Sequence, residues 1–120
     1  MMNVQSDDLF APKFDGQGLL SAVVVDVTTR AVLMVAFMDA EALAETRRTG
    51  FAHFRSRSRG RLWKKGESSG HVLHVEKILV DCDQDALVLE CRPDGPTCHT
   101  GAVSCFFREL DNDALRSVTT

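Results

Sequence analysis

Leu19-Leu20-Ser21-Ala22-Val23-Val24-Val25-Asp26-Val27-Thr28-Thr29-Arg30-Ala31-Val32-Leu33-Met34-Val35-Ala36-Phe37 is the stretch whose reading decides the fold. The β-branched run Val23-Val24-Val25 marks a buried strand over residues 19–27. Thr28-Thr29-Arg30 reads as a turn and residues 31–37 as a second strand, so the two form a hairpin. The pattern then changes period. Asp39 can cap a helix over residues 40–48 with Glu41 in its first turn, Arg47 and Arg48 in its last, and Gly50 just beyond.

Working outward, residues 51–56 return to a strand pattern, and residues 57–70 form a polar, glycine-punctuated ligand loop. Residues 72–81 and 86–92 read as two further strands joined through an acidic stretch, followed by a loop at 93–97. A short strand is expected at 101–107 and a weak helix at 111–116. The order β-β-α-β followed by more strands implies an α+β fold, a mostly antiparallel sheet with one main helix. Residues 1–13 are expected to be a flexible lead-in, 14–110 the domain, and 111–120 a C-terminal tail.

A chain of 120 residues fits one domain, and 44% hydrophobic with 26% charged residues is the balance of a folded globular protein. The net charge of −3 argues against nonspecific nucleic-acid binding, which needs an excess of Lys and Arg to displace counterions from phosphates. The longest mainly apolar run, residues 31–38, falls far short of the roughly 20 residues that span a bilayer, so no membrane partner is expected. Residues 1–8 lack a basic segment followed by an apolar one, and the expected location is cytoplasmic. In that compartment cysteines beside histidine and aspartate point to metal or chemistry rather than disulfides.

Cys82 and Cys98 are 16 residues apart and Cys98 and Cys105 are 7 apart, unlike the paired knuckles of a structural zinc ribbon. Taken singly, Cys82 and Cys105 read more readily as small buried side chains. Their company favours a ligand role: Cys98 adjoins His99, and Cys82 lies within Asp81-Cys82-Asp83-Gln84-Asp85. Three thiolates on Zn²⁺ would leave a fourth position open, with His99, His71 or His74 available as a base. Cys91, in an apolar run, reads as core. If 81–85 is extended, alternation puts the three carboxylates on one face and Cys82 on the other, and oxygen ligands of that kind suit Mg²⁺. A solvated acidic turn is the plainer alternative.

The segment from Ser56-Arg57-Ser58-Arg59 to Lys64-Lys65-Gly66-Glu67-Ser68-Ser69-Gly70 concentrates guanidinium groups, hydroxyls and flexible backbone, the groups that bind phosphate. It lacks the spacing of a Walker loop. Trp63 could stack on a base or anchor the loop to the core.

Taken together, Ser56-Arg57-Ser58-Arg59, Leu62-Trp63-Lys64-Lys65-Gly66-Glu67-Ser68-Ser69-Gly70-His71, Asp81-Cys82-Asp83-Gln84-Asp85, Gly95-Pro96-Thr97-Cys98-His99-Thr100-Gly101 and Ser104-Cys105-Phe106 resemble the phosphoribosyl-AMP cyclohydrolase family in order and spacing. The resemblance covers residues 14–108. It implies the third step of histidine biosynthesis, in which zinc-activated water adds at C6 of the adenine ring of 1-(5-phosphoribosyl)-AMP and the N1–C6 bond opens. It further implies an intertwined homodimer whose subunits share a zinc ion through Cys82, Cys98 and Cys105, with Asp81, Asp83 and Asp85 holding Mg²⁺. His99 and His71 are then the expected proton-transfer residues. The expected contacts to the nucleotide and its phosphates are Ser56, Arg57, Ser58, Arg59, Trp63, Lys65, Gly66, Glu67, Ser69 and Gly70. Arg55 stands where the family commonly has an aromatic residue, and Ala102-Val103 where many members have two arginines.

Overall fold

The computed structural model describes residues 9–118; the first eight residues of the expected lead-in and the last two residues of the expected tail lie outside them. Strands β1 (Leu20–Asp26) and β2 (Val32–Met38) form the expected antiparallel hairpin. Its turn closes on the Asp26 carboxylate, which accepts from the Thr28 and Thr29 amides at 2.8 and 3.1 Å. Arg30 takes a left-handed conformation (φ 68°) there, and its guanidinium reaches the buried Glu90 carboxylate at 3.1 Å. Helix α1 (Ala40–Thr49) begins where Asp39 accepts from the Ala42 amide at 2.8 Å and ends at Gly50 (φ 80°), as its caps require.

The chain continues through β3 (His53–Ser56), β4 (Arg61–Lys64), β5 (Leu73–Val80) and β6 (Ala86–Pro93). The six strands make one sheet in the order β4-β3-β2-β1-β6-β5, antiparallel except for the parallel β1–β6 pair. The sheet is curled enough that its two ends meet. Phe51, just ahead of β3, bridges His74 of β5, and the Ala52 amide donates to the Leu73 carbonyl at 3.0 Å. Inside the curl lie Leu20, Val24, Leu33, Met38, Phe54, Leu73, Leu87 and Leu89, closed by Ala42 and Leu43 of α1. Thr46 joins helix to sheet, its hydroxyl accepting from the His53 amide at 2.9 Å. Each such large apolar side chain contributes about 1.5–3 kcal/mol on burial.

One irregularity in β2 matters for the site. Val24 pairs with Met34 but Val25 pairs with Val32, so Leu33 is a bulge. The extra residue lets both Leu33 and Met34 face the core and turns the local backbone.

Three expected elements differ. The basic loop contains a strand, β4, paired with β3 through Phe54↔Trp63 and Arg55↔Leu62. Residues 101–107 are a succession of turns rather than a strand, because the Thr97 and Cys98 amides bond back to the Val103 and Ala102 carbonyls at 3.2 and 3.1 Å. The helix expected at 111–116 is instead the turn and second strand of a hairpin, β7 (Arg108–Asp111) with β8 (Ala114–Ser117), turning at left-handed Asn112 (φ 54°). That hairpin crosses the expected domain edge at 110.

Candidate active site

The β3–β4 turn and the turns after β4 and β6 converge on a continuous groove. At one end a cleft of about 560 Å³ is walled by Ala36 and Phe37 of β2, Ser56, Arg57, Ser58 and Arg59. At the other a second cleft of about 540 Å³ is lined by Lys65, Ser69, His71, Cys98 and His99. Arg59, Trp63, Glu67 and Ser68 line both, so the clefts share a wall. Sequence-distant motifs meet here because the curled sheet brings the β4 loop beside the turn after β6.

The basic end is positioned side chain by side chain. The Arg57 guanidinium stacks over the Phe37 ring at 4.7 Å. The Ser56 hydroxyl accepts from the Arg59 amide at 3.2 Å, closing the β3–β4 turn. Glu67 accepts from Arg61 and from the Lys64 amide, both at 2.8 Å. The Arg61 guanidinium, with the Lys64 amide, holds the Glu67 carboxyl below the usual carboxylate range. Trp63 packs on Phe54 (ring centroids 5.2 Å apart) while also lining both clefts, so it anchors the loop and offers a face to a ligand.

At the other end, Cys98 and Cys105 are near enough for each thiol to influence the other's ionisation. The Thr100 hydroxyl donates to Cys98 Sγ at 3.1 Å and lowers its pKa, with a smaller contribution from Lys65. Burial raises that of Cys105, and the neighbouring Cys98 charge adds to the effect. Of the two, Cys98 is therefore the thiol that ionises first. His71 and His99 are both exposed to this cleft. His74 lies outside it, with Nε2 2.9 Å from Asp94 Oδ2 and its ring against Phe51.

Cys82 is not with the other two thiols. It is exposed at the β5–β6 turn, before β6, whereas Cys98 follows β6. About 25 Å of extended strand separates the two positions. The acidic stretch is a turn rather than extended chain, with Gln84 left-handed (φ 61°). Asp81, Asp83 and Asp85 nevertheless offer oxygens within 4.8 Å of one another. The Asp81 carboxylate accepts from the Asp85 and Ala86 amides at 2.9 and 3.1 Å. The shared hydrogen bonds with Asp81 and Asp83 push Asp85 up to about 6. Although burial opposes it, Asp81 shifts down under its bonds to Asp85 and the Ala86 amide. Three carboxylates this close repel one another unless protonated or bound to a cation.

The family model of phosphoribosyl-AMP cyclohydrolase matches residues 34–107, a span that includes both clefts, the acidic turn and Cys82, Cys98 and Cys105. The chain belongs to the phosphoribosyl-AMP cyclohydrolase family. A phosphoribosyl-AMP cyclohydrolase of Erythrobacter litoralis (strain HTCC2594) is 63% identical over 116 residues, which cover 97% of this chain and 93% of that protein. The one of Sphingopyxis alaskensis (strain DSM 13593 / LMG 18877 / RB2256) is 55% identical over 93% of this chain and 90% of its own length. The one of Methanococcoides burtonii (strain DSM 6242 / NBRC 107633 / OCM 468 / ACE-M) is 53% identical over 90% of this chain and 89% of its own length. The cyclohydrolase family makes the chain an enzyme of the hydrolase class and implies the histidine-biosynthesis step. Among the described residues no helix is long and apolar enough to cross a membrane.

Within this cyclohydrolase groove, sequence reasoning overlooked Arg55, Arg61 and Ser68 as lining residues and Thr100 as the partner of Cys98. Arg61 and Ser68 sat inside quoted motifs. The signal for Thr100 was a hydroxyl two residues beyond a thiol, a spacing common in local side-chain turns. Arg55 is held 3.6 Å from the Asp39 carboxylate, so the cap of α1 also orients a groove arginine.

Proposed function

We propose that the chain opens the adenine ring of 1-(5-phosphoribosyl)-AMP by addition of water at C6 and cleavage of the N1–C6 bond, acting in the cytoplasm as a zinc- and magnesium-dependent homodimer. The groove carries this reading, because it joins a cluster of arginines and hydroxyls to Cys98 with His71 and His99 beside it.

The donor chemistry fits the metals. Soft thiolates suit zinc, and Cys98 with Cys105 supply two neighbouring sulfurs. The third, Cys82, stands at the far end of β6, which supports its delivery from a second copy of the chain. The turn that carries Cys82 also carries Asp81, Asp83 and Asp85, so the same second copy would bring the Mg²⁺ carboxylates toward the substrate phosphates. Zinc in such a site supplies Lewis acidity that makes water a nucleophile near neutral pH.

The chain's own residues do the rest. Arg57 and Arg59 with Ser56 and Ser58 hold a phosphate, Trp63 offers its ring to the purine, and Lys65, Gly66, Glu67, Ser69 and Gly70 form the shared wall and the turn beside it. His71 and His99, which line the cleft with Cys98, accept the proton of the attacking water and return it to the departing ring nitrogen. Incubation of the purified protein with phosphoribosyl-AMP tests this. The absorbance change of ring opening should appear, vanish with chelator and return with Zn²⁺. No metal-dependent turnover would overturn the substrate assignment and point to another purine or a pteridine-like ring.

A further inference from the structure

Two glycines determine where His71 stands. At Gly66 (φ +85°) a Cβ would fall 2.6 Å from both the His71 carbonyl carbon and its oxygen, so the turn packs directly on the histidine backbone. At Gly95 a Cβ would fall 2.8 Å from Cδ2, 2.9 Å from Cγ and 3.1 Å from Nε2 of the imidazole. The ring therefore lies against a bare Cα. Gly95 is not among the residues with left-handed backbone, so the position does not need glycine for its dihedral angles. What it needs is the missing side chain.

Gly95 is itself held in register. Pro93 pairs with Leu73 at the end of the β5–β6 ladder, and the Asp94 amide extends that ladder by donating to the Val72 carbonyl at 3.0 Å. The Asp94 carboxylate lies 2.9 Å from His74 Nε2, and the His74 ring packs on Phe51, 5.1 Å between centroids. Lys64 stands 4.4 Å over the same Phe51 ring. This chain of contacts runs from β4 through β5 to the residue beneath His71, and none of its links except Lys64 lines the groove.

We propose that Gly95 is a positioning residue that sets the His71 imidazole in the groove, and that the His74–Asp94 pair holds Gly95 in place to do so. The inference rests on the reading of His71 as a proton acceptor. A misplacement of about 1 Å at such a group can cost a hundredfold in rate.

A double-mutant cycle of Gly95→Ala and His71→Asn tests it, with zinc content, thermal midpoint and imidazole proton NMR recorded for every variant. Gly95→Ala should keep its zinc, lower kcat about tenfold or more with KM within about twofold, and move the His71 ring resonances while leaving those of His53 in place. In the His71→Asn background it should cost nothing further. Additive losses, or unmoved His71 resonances, would overturn the proposal. If Gly95→Ala does not fold, Asp94→Asn keeps the backbone bond to Val72 and runs the same cycle; a kcat loss that persists in the His71→Asn background, or no loss, overturns it equally. Parental turnover by His71→Asn alone would overturn the proton-acceptor role instead, and the NMR shifts would still judge the placement.

Discussion

The backbone amide of Cys105 donates to the carbonyl of Leu33 at 2.8 Å. Leu33 is the bulge residue of β2, so the irregularity that fills the core on one side also gives the Cys105 segment its anchor. Ser104 completes the attachment. Its buried hydroxyl donates to the Val32 carbonyl at 2.6 Å and accepts from the Phe106 amide at 2.9 Å. Cys105 is thus fixed beside Cys98 by hydrogen bonds to a strand more than 70 residues earlier, not by regular structure of its own.

Replacing Ser104 by Ala should therefore cost about 1–3 kcal/mol, since it removes the hydrogen bonds to the Val32 carbonyl and from the Phe106 amide. Urea unfolding of the metal-free protein should show the loss as a lower midpoint with unchanged slope. Zinc affinity should fall as well, because Cys105 loses its anchor. A Ser104→Ala protein of parental stability would mean that water replaces the hydroxyl and that the anchor is dispensable.

Gly60 and Gly66 are both left-handed turn residues, with φ of +62° and +85°, yet they should not tolerate substitution equally. Space is open around Gly60, so Gly60→Ala should cost only the roughly 1–2 kcal/mol of the strained conformation. Gly66→Ala adds a clash with the His71 and Val72 backbone and should cost about 3 kcal/mol or more. Thermal midpoints of the two variants provide the comparison.

Cys91 is fully buried on β6, and burial, with smaller contributions from Asp26 and Glu76, pushes its thiol up to about 12. In the folded, metal-free protein at pH 8 an alkylating reagent should modify Cys82, exposed at the β5–β6 turn, and leave Cys91 untouched until the chain unfolds. The unfolded thiol ionises near its ordinary value while the folded one does not. Its contribution to stability is consequently whole below about pH 8.5 and is lost as pH rises toward 12. Mass spectrometry of labelled peptides checks the first statement.

The sequence carried the hairpin, the capped helix and the strands β3, β5 and β6, because each has a local signal: β-branched runs, Asp39 and Gly50, apolar stretches between polar turns. It hid β4, whose Arg61 and Lys64 are as polar as a loop and whose strand character comes from pairing with β3. It also misdirected the reading of the last segment. Asp111-Asn112 suits a helix cap and a left-handed turn alike, and only the pairing of Leu110 with Leu115 decides for the hairpin. The parallel β1–β6 pair has no local signature at all. At the site, the residue types were legible and their arrangement was not. The carboxylates of Asp81, Asp83 and Asp85 converge through a left-handed turn at Gln84 rather than by strand alternation. The distance of Cys82 from Cys98 follows from strand topology, which spacing along the chain does not reveal.

Zinc completed across two chains is the central claim, and mixing two inactive variants tests it most directly. Cys82→Ser and Cys98→Ser should each lose zinc and turnover as pure proteins. Unfolded and refolded together, they should form mixed dimers in which one of the two sites has all its cysteines, restoring roughly a quarter of the parental zinc and activity for random pairing. Recovery of neither would contradict the shared site, as would full zinc retention by either variant alone.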